Sequence, residues 1–217
     1  MSRARFIHVE TWVFDLDNTL YPPAARLFDQ IEARMNAYVM QTLGVVEDEA
    51  ARLRRHYWET HGTTLAGLMR EHAIDPVAYL ADVHEIDLAG ITPSEALRDA
   101  IARLPGRKIV YTNGSREHAR RVTAAIGLDG AFDRLYGVED AGYLPKPEPA
   151  AFDAIFALDG LDTTRAAMFE DDQRNLRVPH GLGMRTVLVG PAVDPEPAYA
   201  HVHHRTDDLA DFLGRLA

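Results

Sequence analysis

The stretch Phe14-Asp15-Leu16-Asp17-Asn18-Thr19-Leu20 runs an apolar segment into two carboxylates at alternate positions. If strand geometry continues past Phe14, a period of two puts Asp15 and Asp17 on one side. Two close carboxylates repel, and one takes up a proton unless a cation intervenes. Groups of this kind can act as a nucleophile and as a proton carrier. Taken alone, Asp17-Asn18-Thr19 reads equally well as a turn and helix cap.

Three further stretches each follow an apolar run. Thr112-Asn113-Gly114-Ser115 offers hydroxyl and amide donors beside a helix N-terminus, which suits a phosphate. By itself it is better read as a turn and N-cap. Lys146 lies in Tyr143-Leu144-Pro145-Lys146-Pro147-Glu148-Pro149, where flanking prolines restrict the backbone and prevent regular helix. An ammonium group held stiffly near carboxylates is a good electrostatic stabiliser. Elsewhere a loop lysine is usually just exposed. Finally, Phe169-Glu170-Asp171-Asp172 places three acids after a strand. With Asp15 and Asp17 they are expected to form a five-acid cluster, which would be very costly without a cation. Hard oxygen ligands favour Mg²⁺. The plain alternative is a solvated acidic turn.

These residues need elements to position them. Thr11–Phe14, Lys108–Tyr111, Ala166–Phe169 and Thr186–Val189 are short apolar strands with amphipathic helical patterns between them. They imply an α/β architecture, a Rossmann-like doubly wound parallel sheet covered on both faces. Edge strands are expected near Arg134–Tyr136 and from Ala200 to His203. Ser115 should cap a helix reaching Ile126. Further helices are expected from Pro147 to Leu158 and from Leu209 to Leu216. Pro191 to Pro197 reads as a loop.

The interval from Leu16 to Lys108 is far longer than a strand–helix–strand crossover of roughly 30 residues. A loop of that length is unusual in a compact domain. Leu27–Leu43, Asp48–His61, Leu65–His72 and Pro76–His84 all read as helices, with apolar residues such as Leu27, Ile31, Met35 and Val39 at helical spacing. The expected organisation is a core of residues 1–21 and 92–217 with an inserted α-helical cap over 22–91.

The chain has 217 residues, with 33 acidic against 23 basic side chains and a net charge of −10. That length suits one domain with an insertion. An acidic surface argues against nucleic-acid polymers as partners. A small anion remains possible where a lysine, metal ion or backbone N–H groups supply local positive charge. No run approaches the ~18 apolar residues of a membrane helix, and Met1 to Glu10 lacks a secretory stretch. No membrane association and a cytoplasmic location are therefore expected. With no cysteine, disulfides, thiolate metal sites and a thiol nucleophile are excluded. Oligomeric state is left open.

Together and in this order, the four motifs resemble those of the haloacid dehalogenase superfamily of phosphohydrolases, over about Thr11 to Leu216. The resemblance implies Asp15 as a nucleophile that forms an aspartyl-phosphate. It implies Asp17 as the general acid and base. Mg²⁺ would be held by the Asp15 side chain, the Asp17 backbone carbonyl and Asp171, with Glu170 assisting. Thr112 and Asn113 would bind the phosphoryl group, and Lys146 would neutralise it together with Asp15. Dehalogenases of the superfamily lack the second aspartate, so Asp17 implies phosphoryl transfer. The inserted helices resemble the cap of subclass I members. Asn175 departs from members that carry an aspartate there.

Tyr57-Trp58-Glu59-Thr60-His61-Gly62-Thr63-Thr64-Leu65-Ala66-Gly67-Leu68 resembles the cap signature of pyrimidine 5′-nucleotidases, as do Tyr21-Pro22 and Phe169-Glu170-Asp171 with Arg174-Asn175-Leu176. His61 departs from the tyrosine of eukaryotic members. This implies a small phosphorylated partner, a pyrimidine mononucleotide, met by His61, Thr63 and Thr64. A sugar-phosphate or phosphoglycolate phosphatase, a phosphomutase and a non-enzymatic phospho-acceptor protein are the alternatives. Asp17 and the long insertion favour an enzyme over the last. Other features read more plainly. His201, His203 and His204 fit an edge strand better than a metal site, and Trp12 fits the core. Arg52, Arg54 and Arg55 fit a solvated helix face. Arg116 is a weaker candidate for phosphate contact.

Overall fold

The computed structural model describes residues 3–191 and 199–216. Among them, six strands form one wholly parallel sheet: β1 (Thr11–Phe14), β2 (Arg107–Tyr111), β3 (Arg134–Tyr136), β4 (Ala166–Glu170), β5 (Arg185–Val189) and β6 (His204–Thr206). Their spatial order is β3-β2-β1-β4-β5-β6. β1 is central and buried along its whole length, as an apolar strand covered on both faces must be. Alternate residues feed two cores. Trp12, Phe14, Val110 and Phe169 join one cluster, while Val13, Ile109, Tyr111 and Met168 join the other. The Trp12 indole donates to the Pro105 carbonyl at 2.7 Å from within the first.

The expected helices are present, and Glu95–Ala102 and Arg177–Gly181 are added to them. In chain order the helices are α1 (Leu27–Leu43), α2 (Glu47–His61), α3 (Thr64–His72), α4 (Pro76–Val83), α5 (Glu95–Ala102), α6 (Arg116–Ala125), α7 (Pro149–Asp159), α8 (Arg177–Gly181) and α9 (Leu209–Gly214). Helices α1 to α4 pack on one another and share an apolar cluster that includes Val39, Tyr57, Leu68, Tyr79 and Val83. Gly67 makes the α2–α3 approach possible, because a Cβ there would lie 2.3 Å from the Tyr57 ring. The first two turns of α1 belong elsewhere: Leu27 and Ile31 sit in the sheet's own core. No helix among the described residues is long and apolar enough to cross a membrane.

One strand differs from expectation. The last edge strand is His204–Thr206, not Ala200 to His203. It pairs with β5 from Val187↔His204 onward. Polar residues on a half-exposed edge carry no apolar period to fix the register, so sequence marks such a strand poorly. The loop expected over Pro191 to Pro197 falls, from residue 192 on, outside the described residues.

The sheet order makes one crevice. After β1 the chain goes to β2 and β3 on one side, then crosses to β4 on the other. Ligands of open α/β sheets bind outside the carboxyl ends of the strands at such a reversal. Phe14 is level with Val110 of β2 and Phe169 of β4. The residues just beyond, Asp15, Thr112 and Glu170, therefore emerge at one end.

Candidate active site

Asp15 continues β1 by one ladder bond, its N–H donating to the Phe169 carbonyl at 2.9 Å. Its carboxylate is buried against Lys146, whose Nζ lies 2.7 Å from Asp15 Oδ1, 2.7 Å from Glu170 Oε2 and 3.0 Å from the Tyr111 carbonyl. An ammonium group has three N–H donors, and here each has an acceptor. Lys146 is 1% exposed. The loop that carries it is tied down by Asn113, whose Nδ2 donates to the Lys146 carbonyl and whose Oδ1 accepts from the Lys146 N–H. One Nδ2 hydrogen and the Oδ1 of Asn113 are thus engaged, which leaves its second Nδ2 hydrogen and its backbone N–H for a phosphate. Thr112 is buried, with its hydroxyl accepting from Gly114 N–H at 2.9 Å.

The charges do not balance. Oxygens of Asp15, Glu170 and Asp171 lie within 4.8 Å of one another, and one ammonium faces all three carboxylates. Burial, the largest cause, lifts Asp15 to about 7, with the Glu170 charge adding and Lys146 opposing. Glu170 is likewise lifted to about 7 by burial, against the pull of Lys146. Asp171, the more exposed of the three, moves in the same direction. Burial should lower Lys146, yet Asp15 and Glu170 outweigh it and hold the ammonium well above its usual range. A cluster of hard oxygens short of positive charge fits a divalent cation such as Mg²⁺. Buried Asn175 adds an Oδ1 with no hydrogen-bond partner among the described residues.

Asp172 does not join this cluster. It caps the short turn Gln173–Leu176, accepting from Arg174 N–H at 2.9 Å, and it pairs with the Arg174 guanidinium at 2.7 Å. The expected five-acid cluster is corrected on this point: an Asp two residues before an Arg is satisfied locally. The Asp17 side chain is also apart, facing Tyr21 and His118. Burial should raise its pKa, but contact with these two holds it below the usual carboxylate range.

A cavity of about 730 Å³ opens above the carboxyl ends, a normal size for a small-molecule site. Its floor is Asp15, Asp17, Thr112, Asn113, Lys146, Glu170 and Asp171. Helices α1, α2 and α4 and the loop before α3 form the opposite wall, including Arg54, Trp58, Thr63, Thr64 and Tyr79. Thr63 caps α3, accepting from Ala66 N–H at 3.1 Å. His61 is not brought to the cavity. Its Nε2 is 2.8 Å from Glu71 and its Nδ1 is 3.3 Å from Arg70, so the expected substrate contact is replaced by a surface network.

The other candidates separate cleanly. Arg116 pairs with Asp140. Arg52 pairs with Glu49 on the surface, while Arg54 and Arg55 line the cavity, which a solvated face does not anticipate. His201 Nε2 meets Gln173, His203 Nδ1 meets the Thr186 hydroxyl, and His204 packs on Phe6. The sequence reading missed His84 and His118. The signal was there: the inward face of α6 reads His118, Ala119, Val122, Thr123, a histidine on an otherwise small and apolar stripe.

Comparison with known proteins bears on the family and the fold. The model of the haloacid dehalogenase-like hydrolases matches residues 9–179. Phosphate metabolism protein 8 of Saccharomyces cerevisiae is 26% identical over 195 residues, 82% of this chain. The match covers only 61% of that relative's length. Among solved structures, CbbY of Rhodobacter sphaeroides, in complex with phosphate, superimposes with a TM-score of 0.66 at 19% identity, covering 94% of this chain and 96% of that one. L-2-haloacid dehalogenase of Xanthobacter autotrophicus gives 0.60 at 14% identity, over 94% and 97%. HAD-hydrolase YfnB of Bacillus subtilis, bound to magnesium, gives 0.57 at 18% identity, over 96% and 98%. At these identities the structural likeness concerns the fold.

Proposed function

The chain belongs to the haloacid dehalogenase-like hydrolases, and from that premise we propose that it is a Mg²⁺-dependent phosphomonoesterase. Its proposed substrates are pyrimidine nucleoside 5′-monophosphates, cleaved to nucleoside and phosphate. The observation that carries this reading is the buried Asp15–Lys146–Glu170 centre, with Asp17 one step along the chain. A second carboxylate is what a phosphate ester needs and a halide leaving group does not.

In this mechanism an Asp15 carboxylate oxygen attacks phosphorus and forms an aspartyl-phosphate. As the ester P–O bond breaks, Asp17, protonated once an anionic ester is bound beside it, gives that proton to the leaving oxygen. Asp17 then takes a proton from a water that attacks the aspartyl-phosphate, which releases phosphate and regenerates Asp15. Lys146 offsets negative charge on Asp15 and on the phosphoryl oxygens, already fixed where that charge develops. Thr112 and the backbone N–H groups before α6 hold the phosphoryl oxygens. Asp15, Asp171, the Asp17 carbonyl and Glu170 would hold Mg²⁺, which supplies charge neutralisation and orientation of the phosphoryl group. Residues 22–91 act as a cap that closes over the leaving group and excludes water. The nucleotide assignment draws on the likeness of Tyr57 to Leu68 to nucleotidase caps, and on Thr63 and Thr64 at the cavity wall.

A phosphate-release screen with Mg²⁺ over mononucleotides and sugar phosphates tests this. UMP and CMP should lead. Strong release from a sugar phosphate with none from UMP or CMP overturns the nucleotide assignment, and release from no ester overturns the phosphatase.

A further inference from the structure

Asp17 is held by one oxygen only. The Tyr21 hydroxyl donates to Asp17 Oδ1 at 2.6 Å, and His118 Nε2 lies 2.9 Å from the same oxygen. Asp17 Oδ2 has no hydrogen bond among the described residues, and Asp17 lines the cavity. His118 is itself immobilised. It is 1% exposed, and its backbone N–H donates to the Ser115 hydroxyl at the start of α6. Its ring stacks on His84 with centroids 4.2 Å apart and planes 10° apart. His84 Nδ1 in turn lies 3.1 Å from the Ser115 hydroxyl. Gly114 leaves room for the pair: a Cβ there would meet His118 at 3.2 Å, His84 at 3.3 Å and Thr112 at 3.4 Å. Two buried imidazoles, a helix cap and a glycine are thus arranged around one carboxylate oxygen.

We propose that His118 and Tyr21 are positioning residues that clamp Asp17 Oδ1 and leave Oδ2 as the oxygen that carries the proton. A carboxylate free to turn about its last torsion would present either oxygen, and proton transfer needs one donor within hydrogen-bond reach of the leaving oxygen. With Oδ1 clamped, the Oδ2 proton passes to the leaving oxygen as the P–O bond breaks, and the same Oδ2 receives a proton from the attacking water. The inference rests on the phosphomonoesterase reading of the site.

The test compares an alkyl phosphate, the best of the screen, with p-nitrophenyl phosphate, whose leaving group needs no proton. His118→Phe keeps the stacked ring but loses the donor. It should lower the single-turnover rate of Asp15 phosphorylation by the alkyl ester about 10- to 100-fold with KM within about twofold, and by the aryl ester less than about threefold, while hydrolysis of the phosphoenzyme slows alike whichever ester formed it. His118→Gln, which carries a donor near the Nε2 position, should recover most of the loss, and Tyr21→Phe should show the same ester dependence. Equal losses of phosphorylation rate on both esters, no loss on either, or a Gln variant no better than Phe overturn the clamp. A crystal structure of the His118→Phe/Tyr21→Phe double variant reads the geometry without turnover: Asp17 should adopt a new orientation, and an unmoved carboxylate overturns the clamp. If the wild type cleaves neither ester, the phosphatase reading fails, and the crystal structure still decides the clamp.

Discussion

The two walls of the cavity are built on different terms. On the strand side, Lys146 uses all three donors, Asn113 engages both side-chain polar atoms, and Asp172 is paired before any ligand arrives, with Asn175 Oδ1 an exception. On the helical side, Arg54 Nε and the Tyr79 hydroxyl are buried with no partner among the described residues. Trp58 is 47% exposed beneath the Arg174 guanidinium, 3.4 Å from its ring centroid. Unsatisfied buried polar atoms cost stability, so a wall that keeps them is shaped for something other than its own folding. In the proposed mechanism the strand side meets a phosphate, which is alike in every candidate substrate, and the helical side meets the leaving group, which differs between substrates.

The sharpest way to break this contrast is at the nucleophile. Asp15→Asn should lower kcat by about four orders of magnitude or more. Phosphate release near the wild-type rate from a clean preparation would remove Asp15 from its role.

A middle-sized effect separates the charge-starved floor from the rest of the fold. Folded Asp15 and Glu170 hold protons up to about 7, above their ordinary values of 3.8 and 4.5. Without divalent cation, that raised affinity favours the folded state at low pH. The contribution is lost as pH rises from the ordinary carboxylate range through about 7. Mg²⁺ should then restore stability, raising Tm more at pH 8 than at pH 5. At a hundredfold excess over its Kd the gain is about 2.7 kcal/mol. A Tm shift of equal size at both pH values would show that the cation binds elsewhere.

The smallest effects belong to the helical wall. Arg54→Ala should raise KM about tenfold while kcat changes little, because the wall meets parts of the substrate that do not react. His61→Ala, on the outer network with Glu71, should leave both within about twofold. Steady-state kinetics on the best substrate reads the pair, and a larger KM effect for His61 than for Arg54 would reverse the assignment of the wall.

How much of this was legible follows the same division. Asp15, Asp17 and Glu170 could be read because each ends or follows an apolar strand, and strands covered on both faces leave a continuous apolar signature, while Lys146 was marked by its flanking prolines. The four helices of the insertion were legible from their apolar spacing. His118 left a trace on the inward face of α6, but its role and that of His84 were not legible, because they arise from stacking between segments far apart in the chain. Arg54 was assigned to solvent because a charged helix face looks the same whether water or a cavity lies above it. Asp172 was placed in the acid cluster because composition gives no orientation, and its own backbone turn and Arg174 claimed it first.

The central position of β1 has a kinetic consequence. Its partners β2 and β4 begin at Arg107 and Ala166, so Asp15, Thr112, Lys146 and Glu170 meet only after long stretches of chain have closed. Such pairing bears its loop entropy before any contact rewards it, and is slow. Helices α1 to α4 are contiguous and can assemble on their own neighbours first. Refolding should therefore recover helical signal early and turnover late, with activity returning in step with sheet closure.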